Sequence, residues 1–164
     1  MIRLHMRQIT VIGSGGEIPP DTYKMAEELG REIAGHGAVL ITGGRGGVME
    51  ATCKGAKEKN GLTVGILPGD ESDANPYVDI TIVTGMGDGR NVINVRSGDA
   101  VIAVHGGAGT LSEIGLALKA GKRVIALKPS GGVAERMAGT VIDGRKIMSA
   151  GSVEEAVELV LKQP

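Results

Sequence analysis

Hydrophobic residues in this sequence recur as short runs, several of which end in glycine, and amphipathic segments of helical period lie between them. The runs are rich in β-branched residues and too short for helices, which is typical of buried strands. They predict strands at residues 8–13, 38–42, 62–67, 79–84, 101–104 and 124–127, with a short last strand at 146–149.

The segments between the runs repeat apolar residues every three or four positions, which predicts helices with one buried face. These helices are expected to begin at Asp21, to cover residues 48–56 and 111–120, and to open at Ser152 with a capping box. Residues 90–97 fit a short helix or an extended piece, and the crossover between parallel strands favours the helix. The glycine-rich segment 129–139 is expected to be mobile.

The alternation of strands and helices predicts an α/β fold: a single-domain, Rossmann-like three-layer sandwich with a mainly parallel sheet of about six or seven strands. A chain of 164 residues fits one domain over residues 1–164. In such a fold, ligands bind at the carboxyl ends of the strands.

Composition excludes several classes of function. A net charge of -1 and a pI near 6.3 argue against a nucleic-acid partner, and the absence of Phe and Trp removes stacking platforms for bases. The single cysteine, Cys53, favours a reducing compartment and a buried structural thiol. The opening Met1 to Met6 lacks the apolar core of a signal peptide, and no run is long enough for a membrane span, so we expect a cytoplasmic protein.

Two strand–glycine–helix corners carry the candidate chemistry. One follows the strand at 101–104 with His105, Gly106, Gly107 and Gly109, and the other spans residues 43–47. Glycines let the backbone approach a ligand, and the first amides of a helix have no internal partners, so such corners attract phosphate. For residues 43–47 alone, a tight turn with close helix packing is the alternative.

Other phosphate and metal motifs fit poorly. The segment from Gly13 to Ile18 lacks the third glycine of a dinucleotide fingerprint, and the second strand ends in Thr42 rather than in an acidic ribose ligand. A Walker loop is absent from the sequence, and its three histidines lack metal-ligand spacing, so no metal site is predicted.

Three side chains near the corners have alternative interpretations. Glu113 either serves chemistry or completes a capping box with Thr110. Arg90, at the start of its helix, faces an anion or a carboxylate, or it is a solvated surface residue. His105 is an acid or base, a ligand contact or a packed side chain.

These residues resemble the LOG-like Rossmannoid superfamily, whose members were long described as "possible lysine decarboxylase". The resemblance covers residues 8–128 and rests on Arg90-Asn91, on the Ser97-Gly98-Asp99-Ala100 segment, on the Gly-Gly-x-Gly-Thr-x-x-Glu string ending at Glu113, and on the glycines at 43–47. It does not imply decarboxylation.

Two branches of the superfamily compete. In the cytokinin-activating branch, phosphoribohydrolases cleave the N-glycosidic bond of a nucleoside 5′-monophosphate with an arginine and a glutamate, here Arg90 and Glu113. The short molybdenum cofactor carrier branch is closer in length and detail, and it binds a phosphorylated pterin without turnover. His105 where the hydrolases typically have proline, and Asn91 where they have lysine, weaken the enzyme interpretation.

The resemblance therefore implies a binding protein for a phosphorylated heterocycle, either a nucleotide monophosphate or the molybdenum cofactor, that needs no catalytic cofactor. A phosphoribohydrolase and a regulatory nucleotide sensor are the alternatives. The apolar surface of the helix at 111–120 and the resemblance imply a homodimer or homotetramer. The predicted binding residues are Gly13, Ser14, Gly15, Gly43, Gly44, Arg45, Gly46, Gly47, Arg90, Asn91, His105, Gly106, Gly107, Gly109, Thr110 and Glu113.

Overall fold

Seven strands form one parallel sheet in the computed structural model, which describes residues 5–163. Residues 1–4, the beginning of the opening segment considered above, and residue 164 lie outside the described residues. The strand order is β4-β3-β2-β1-β5-β6-β9. The strands are β1 (Gln8–Gly13), β2 (Val39–Thr42), β3 (Thr63–Leu67), β4 (Ile80–Val83), β5 (Ala100–Val104), β6 (Arg123–Leu127) and β9 (Met148–Ala150).

Helices cover both faces of the sheet, so the predicted single-domain three-layer α/β fold is confirmed. The helices are α1 (Pro20–Gly35), α2 (Val48–Glu58), α3 (Arg90–Ser97), α4 (Ala108–Lys119), α5 (Gly132–Met137) and α6 (Val153–Leu161). Helices α1, α2 and α6 pack on one face, and α3, α4 and α5 pack on the other. No helix in residues 5–163 combines the length and apolar character needed to cross a membrane.

The central strand β1 pairs with β2 on one side and with β5 on the other. Its successive side chains point to opposite faces, so Val11 packs toward α1 and α2 while Ile12 packs toward α4. Both residues are almost fully buried. The continuous apolar runs seen in the sequence are therefore explained by a sheet that is covered on both sides.

Two helices begin earlier than their predicted positions. Helix α1 begins at Pro20, with Asp21 in its first turn rather than at the N-cap. Proline suits this first position because it lacks the amide hydrogen that would have no partner there. Helix α4 begins at Ala108, with Gly107 as its N-cap, although the apolar period predicts a start at residue 111. Gly109 therefore belongs to the helix rather than to the turn.

The region after β6 contains structure that the glycine content did not predict. A 3₁₀ turn at Lys128–Ser130 leads into α5, whose Ala134 is fully buried. A two-stranded hairpin, β7 (Val141–Ile142) and β8 (Arg145–Lys146), precedes β9. Helix α6 has the predicted cap, since the Ser152 side chain accepts a hydrogen bond from the amide of Glu155 at 3.1 Å.

Candidate functional site

A cavity of about 650 Å³ lies at the carboxyl ends of the central strands, where a parallel sheet places its ligands. Its walls come from the ends of β1 and β2, from the loops that follow them, and from the facing starts of α3 and α4. Its lining residues are Val11, Ile12, Gly13, Ser14, Gly15, Gly16, Glu17, Gly43, Arg45, Met49, Pro68, Asp88, Arg90, Asn91, Asn94, Gly107, Gly109, Thr110 and Glu113.

The turn from β5 to α4 is open to this cavity. Its N-cap residue, Gly107, provides no side-chain cap, so the first-turn amides of α4 lack a side-chain acceptor from that residue. A side chain built on Gly107 or on Gly109 would meet nothing within 4 Å. The positive end of the α4 dipole therefore faces open space that an anion can enter.

The two residues that precede Gly107 hold this turn in place from outside the cavity. His105 has a φ of +55° and Gly106 a φ of +93°, so the chain reverses sharply after β5. The amides of α5 support the reversal, since Ala134 donates to the carbonyl of His105 at 2.9 Å and Val133 donates to that of Gly106 at 3.0 Å. His105 and Gly106 are thus predicted site residues that the structure places behind the lining.

The turn from β2 to α2 is closed by the protein's own backbone. The first amide of α2, at Val48, donates to the carbonyl of Ser14 at 2.9 Å. Gly47 has a φ of +60°, and a Cβ there would overlap the carbonyls of Ser14 and Gly16. The Gly44 amide donates to Thr42 Oγ1 at 3.0 Å, so it too has a partner.

Gly44, Gly46 and Gly47, which we predicted to bind phosphate, therefore do not line the cavity, and the tight-turn alternative describes them better. The loop after β1 takes the space that an anion would need. Gly43 and Arg45 of the same turn do reach the cavity.

Arg90 crosses from the start of α3 to the end of β2. Its guanidinium occupies the position that a Cβ at Gly43 would take, so glycine at 43 makes room for it. Burial lowers the pKa of Arg90, and the negative charge of Glu113 partly offsets this effect. The guanidinium stays protonated at neutral pH and gives the cavity a fixed positive charge.

Glu113 is 9% exposed and lies on the second turn of α4. Burial raises the pKa of its carboxyl group to about 7, against the opposing effects of a hydrogen bond from Asn94 and the positive charge of Arg90. Asn94 Nδ2 donates to Glu113 Oε2 at 3.3 Å. The capping box with Thr110 is wrong, because Thr110 lies inside the helix rather than at its N-cap.

Arg45 and Ser14 complete the polar part of the lining with contacts of their own. Arg45 is exposed, and its Nη1 lies 2.5 Å from Asp73 Oδ2 in the loop before β4. Ser14 Oγ lies 3.3 Å from His105 Nδ1, so His105 touches the site through Ser14.

Eleven of the sixteen predicted binding residues line the cavity and five do not. Those in the lining are Gly13, Ser14, Gly15, Gly43, Arg45, Arg90, Asn91, Gly107, Gly109, Thr110 and Glu113. Those outside it are Gly44, Gly46, Gly47, His105 and Gly106.

Sequence reasoning missed Asn94 and Met49, among others. Asn94 follows Arg90 by four residues, so the two share one face of α3, and this spacing was a usable signal. Met49, 8% exposed, forms an apolar wall beside Gly43 and Gly15. The other missed lining residues are Val11, Ile12, Gly16, Glu17, Pro68 and Asp88.

Comparisons with known proteins agree with this architecture. The model of the SLOG cluster4 family matches residues 6–157. The molybdenum cofactor binding protein of Rippkaea orientalis superposes with a TM-score of 0.87 and 43% identity, covering 96% of each chain. The molybdenum cofactor carrier protein of Chlamydomonas reinhardtii superposes with a TM-score of 0.84 and 42% identity, covering 94% of this chain and 96% of the other.

A relative with an enzyme name matches over a shorter stretch. The cytokinin riboside 5′-monophosphate phosphoribohydrolase of Mycobacterium tuberculosis is 36% identical over 99 residues, which cover 57% of this chain and 52% of the enzyme. The aligned stretch thus covers about half of that enzyme.

Proposed function

Because the chain belongs to the SLOG cluster4 family, we propose that it binds a phosphorylated heterocyclic small molecule, either a nucleotide or a molybdopterin-type cofactor. The phosphate rests on the first-turn amides of α4, between Gly107 and Thr110. The observation that carries the proposal is the uncapped amino end of α4 opening into a cavity of about 650 Å³. A cavity of this volume suits a ligand of nucleotide size.

Charge in the cavity supports an anionic ligand. Arg90 and Arg45 both line this cavity, Arg90 half-buried and Arg45 exposed, so two cations share the cavity with the helix end. The carboxylates Glu17 and Asp88 also line the cavity. Glu113, with a pKa near 7, is partly neutral at neutral pH, which reduces its repulsion of phosphate.

The apolar part of the lining supports a flat heterocycle. Val11, Ile12, Met49 and Pro68 offer aliphatic and thioether surface, and the lining has no aromatic side chain. A thioether adapts its shape and makes favourable contacts with ring edges. The names of the two structural relatives, a molybdenum cofactor binding protein and a carrier protein, favour binding without turnover.

A substitution that adds a methyl group inside the proposed phosphate site tests this function. Gly109→Ala places that group in open space in the first turn of α4, and Gly35→Ala does the same in the last turn of α1, outside this cavity. Because both glycines lie in a terminal turn, each change should alter helix stability by less than the ~1 kcal/mol of a helix interior. Gly109→Ala should weaken AMP, GMP or neopterin phosphate binding about tenfold or more in calorimetry, as the loss of one charge-assisted hydrogen bond requires.

Gly35→Ala should bind each probe as the unmodified protein does. Equal affinities for the two variants would contradict the proposed phosphate position. Mass spectrometry of molecules that co-purify with the protein would identify the heterocycle.

A second candidate function, phosphoribohydrolase activity, is favoured by the position and pKa of Glu113. A buried carboxyl group that titrates near pH 7 can orient water or stabilise positive charge on a sugar. In this reaction the bond between C1′ and the base breaks, water adds to C1′, and the base leaves with a proton. Arg90 would bind the phosphate or orient Glu113.

Release of adenine from AMP measures this activity. If the protein is a hydrolase, Glu113→Gln should abolish release and keep AMP binding, because the amide preserves the shape of the side chain but cannot act as a base. Binding of AMP without release of adenine by the unmodified protein would support the binding function and exclude AMP hydrolysis.

We also propose that the protein forms a homodimer or homotetramer. The support is an apolar groove of about 440 Å³ between α4 and the β7–β8 hairpin, lined by Gly115, Leu116 and Ile142 among others. Ile142 is 40% exposed and the adjoining Val141 is 61% exposed, so the hairpin adds exposed apolar surface next to the groove. Light scattering should show a mass above that of the monomer, and Ile142→Asp should lower it.

A further inference from the structure

Two buried polar atoms on one face of α3 have no partner within residues 5–163: Arg90 Nε and Asn94 Oδ1. Arg90 and Asn94 are four residues apart, one turn of the helix, and both line the cavity. Asn94 is 1% exposed. A donor and an acceptor, each without a partner, thus belong to residues one helical turn apart in the wall of the proposed binding site.

Such an arrangement is unusual in a folded protein. Buried polar groups nearly always have hydrogen-bond partners, because an unpaired one loses its hydration without compensation. The other parts of Asn94 are paired: its Nδ2 donates to Glu113 Oε2 at 3.3 Å, and its carbonyl accepts from Thr10 Oγ1 at 2.8 Å. The side chain is therefore held in place while its Oδ1 is left over.

We infer that Asn94 is a ligand-recognition residue, whose Nδ2 positions Glu113 and whose Oδ1 accepts a hydrogen bond from a neutral donor group of the bound ligand. This inference rests on the proposed binding function. The donor is an O–H or N–H group, which a ribose hydroxyl and an amino group of the heterocycle can each supply. Arg90 Nε, on a residue one helical turn away, offers a donor for an acceptor atom of the same ligand.

Comparing the affinity for AMP with that for inorganic phosphate separates ligand recognition by Asn94 from phosphate binding. Asn94→Leu removes both polar atoms at similar volume, so AMP affinity should fall about tenfold or more, the effect of leaving one hydrogen-bonding group of the ligand unpaired. Affinity for inorganic phosphate should stay within about twofold, since phosphate has no part that reaches Asn94. Asn94→Asp keeps an acceptor oxygen but places a second carboxyl group beside Glu113.

A structural control comes from the other contact of Asn94. Thr10→Val removes the hydrogen bond to the Asn94 carbonyl within the buried sheet and leaves the Asn94 side chain unchanged. If Asn94 acted only through packing, Thr10→Val and Asn94→Leu would weaken AMP binding alike. We expect Thr10→Val to bind AMP as the unmodified protein does.

Ligand analogues identify the donor group. If the donor is a ribose hydroxyl, 2′-deoxy-AMP or 3′-deoxy-AMP should bind the unmodified protein weakly, and Asn94→Leu should not weaken that binding further. If the donor is the amino group of the base, purine riboside 5′-monophosphate, which lacks that group, should bind the unmodified protein weakly, and Asn94→Leu should not weaken its binding further. GMP and neopterin phosphate provide the same comparison for other heterocycles.

The pH dependence of AMP binding gives an independent readout. The hydrogen bond from Asn94 lowers the pKa of Glu113, so Asn94→Leu should move the midpoint of the pH profile upward. The positive charge of Arg90 also lowers this pKa, and Glu17, Arg45 and Asp88, which line the same cavity, stay unchanged in the variant. This readout tests the bond from Asn94 Nδ2 to Glu113, and an unchanged midpoint would contradict the positioning part of the inference.

The outcomes distinguish the inference from the function on which it rests. If Asn94→Leu binds AMP as the unmodified protein does, or loses AMP and inorganic phosphate equally, the recognition role is wrong and the binding function stands. If the unmodified protein binds none of the nucleotide, pterin and phosphate probes, the binding function fails, and the inference fails with it.

Discussion

The two glycine turns of this protein look alike in sequence and differ in what fills them. Each follows a buried strand and ends in an N-cap glycine, Gly47 before α2 and Gly107 before α4. At Gly47 the carbonyls of Ser14 and Gly16 occupy the space beside the glycine, and the Ser14 carbonyl accepts from the first helical amide. At Gly107 that space is empty.

This difference shows that glycine in a strand–helix turn has two separate uses. In the closed turn, glycine lets two stretches of backbone approach each other, and its positive φ is needed. In the open turn, the absence of a side chain leaves helix amides exposed to a ligand. Only the neighbouring chain decides which use applies.

The largest expected effect comes from placing a side chain in each turn. Gly47→Val should lower the free energy of unfolding by about 3 kcal/mol or more, because valine is strained at positive φ and collides with backbone. Gly107→Val should lower it by only about 1 kcal/mol, the usual cost of an unfavourable N-cap residue, since no atom lies within 4 Å of a Cβ built there. Urea denaturation measures both.

For ligand affinity we expect the reverse order, with the larger loss at Gly107 and the smaller at Gly47. Gly107→Val should fold and lose affinity for AMP, whereas any folded fraction of Gly47→Val should keep it. Equal losses of stability at the two positions would show that the turns do not differ as described.

The sequence predicted the inner strands well because they are buried on both faces and therefore read as apolar runs, whereas the edge strand β4 is exposed throughout and reads as a run of β-branched residues. It misplaced the start of α4, because Ala108 and Gly109 precede the apolar period and glycine in that place is typical of a turn. It did not predict which turn is closed, since Ser14 and Val48 are far apart in the chain. Asn94 escaped notice because a polar residue in an amphipathic helix usually faces solvent.

A second comparison concerns the residues six positions after each N-cap, Cys53 in α2 and Glu113 in α4. Burial raises the pKa of Cys53 to about 11 and that of Glu113 to about 7. The thiol stays neutral over the neutral range, whereas the carboxyl group ionises within it. The stability of the protein should therefore depend on pH through α4 and not through α2.

Glu113→Gln tests this difference. The pKa of Glu113 is higher in the folded state than its ordinary value of 4.5, so its contribution to stability falls as the pH rises from about 4.5 to about 7. Relative to the unmodified protein, Glu113→Gln should gain about 2 kcal/mol between pH 5 and pH 8, as expected for a carboxyl group whose pKa folding raises from 4.5 to about 7. Thermal denaturation at several pH values measures this gain, and parallel curves for the two proteins would contradict the burial of an ionising carboxyl group.

A smaller effect should follow from loosening the closed turn at Asn75. The backbone amide of Asn75 donates to the Gly44 carbonyl at 2.9 Å, and the side-chain Nδ2 donates to the Arg45 carbonyl at 2.9 Å. Asn75→Ala removes this side-chain bond and also the one that Asn75 Oδ1 accepts from the Tyr77 amide at 3.0 Å. It should cost between about 1 and 2 kcal/mol, the usual net value of two hydrogen bonds at a partly exposed site. Asn91→Ala, in the cavity lining, should instead leave urea stability unchanged within about 0.5 kcal/mol and weaken AMP binding.

The smallest effect is expected at the rim of the cavity, where Arg45 pairs with Asp73 at 2.5 Å. Both side chains are about half exposed, so the pair adds less than about 1 kcal/mol to stability. Asp73→Asn should free Arg45 to turn toward an anionic ligand and should raise AMP affinity about twofold at low salt, an effect that screening removes near 0.5 M salt. Glu58→Gln breaks a pair of similar exposure with Arg31, away from the cavity, and should leave AMP affinity unchanged. If Asp73→Asn weakened AMP binding, the ion pair would be holding Arg45 in its binding position, and the open turn would depend on the loop before β4 as the closed turn does.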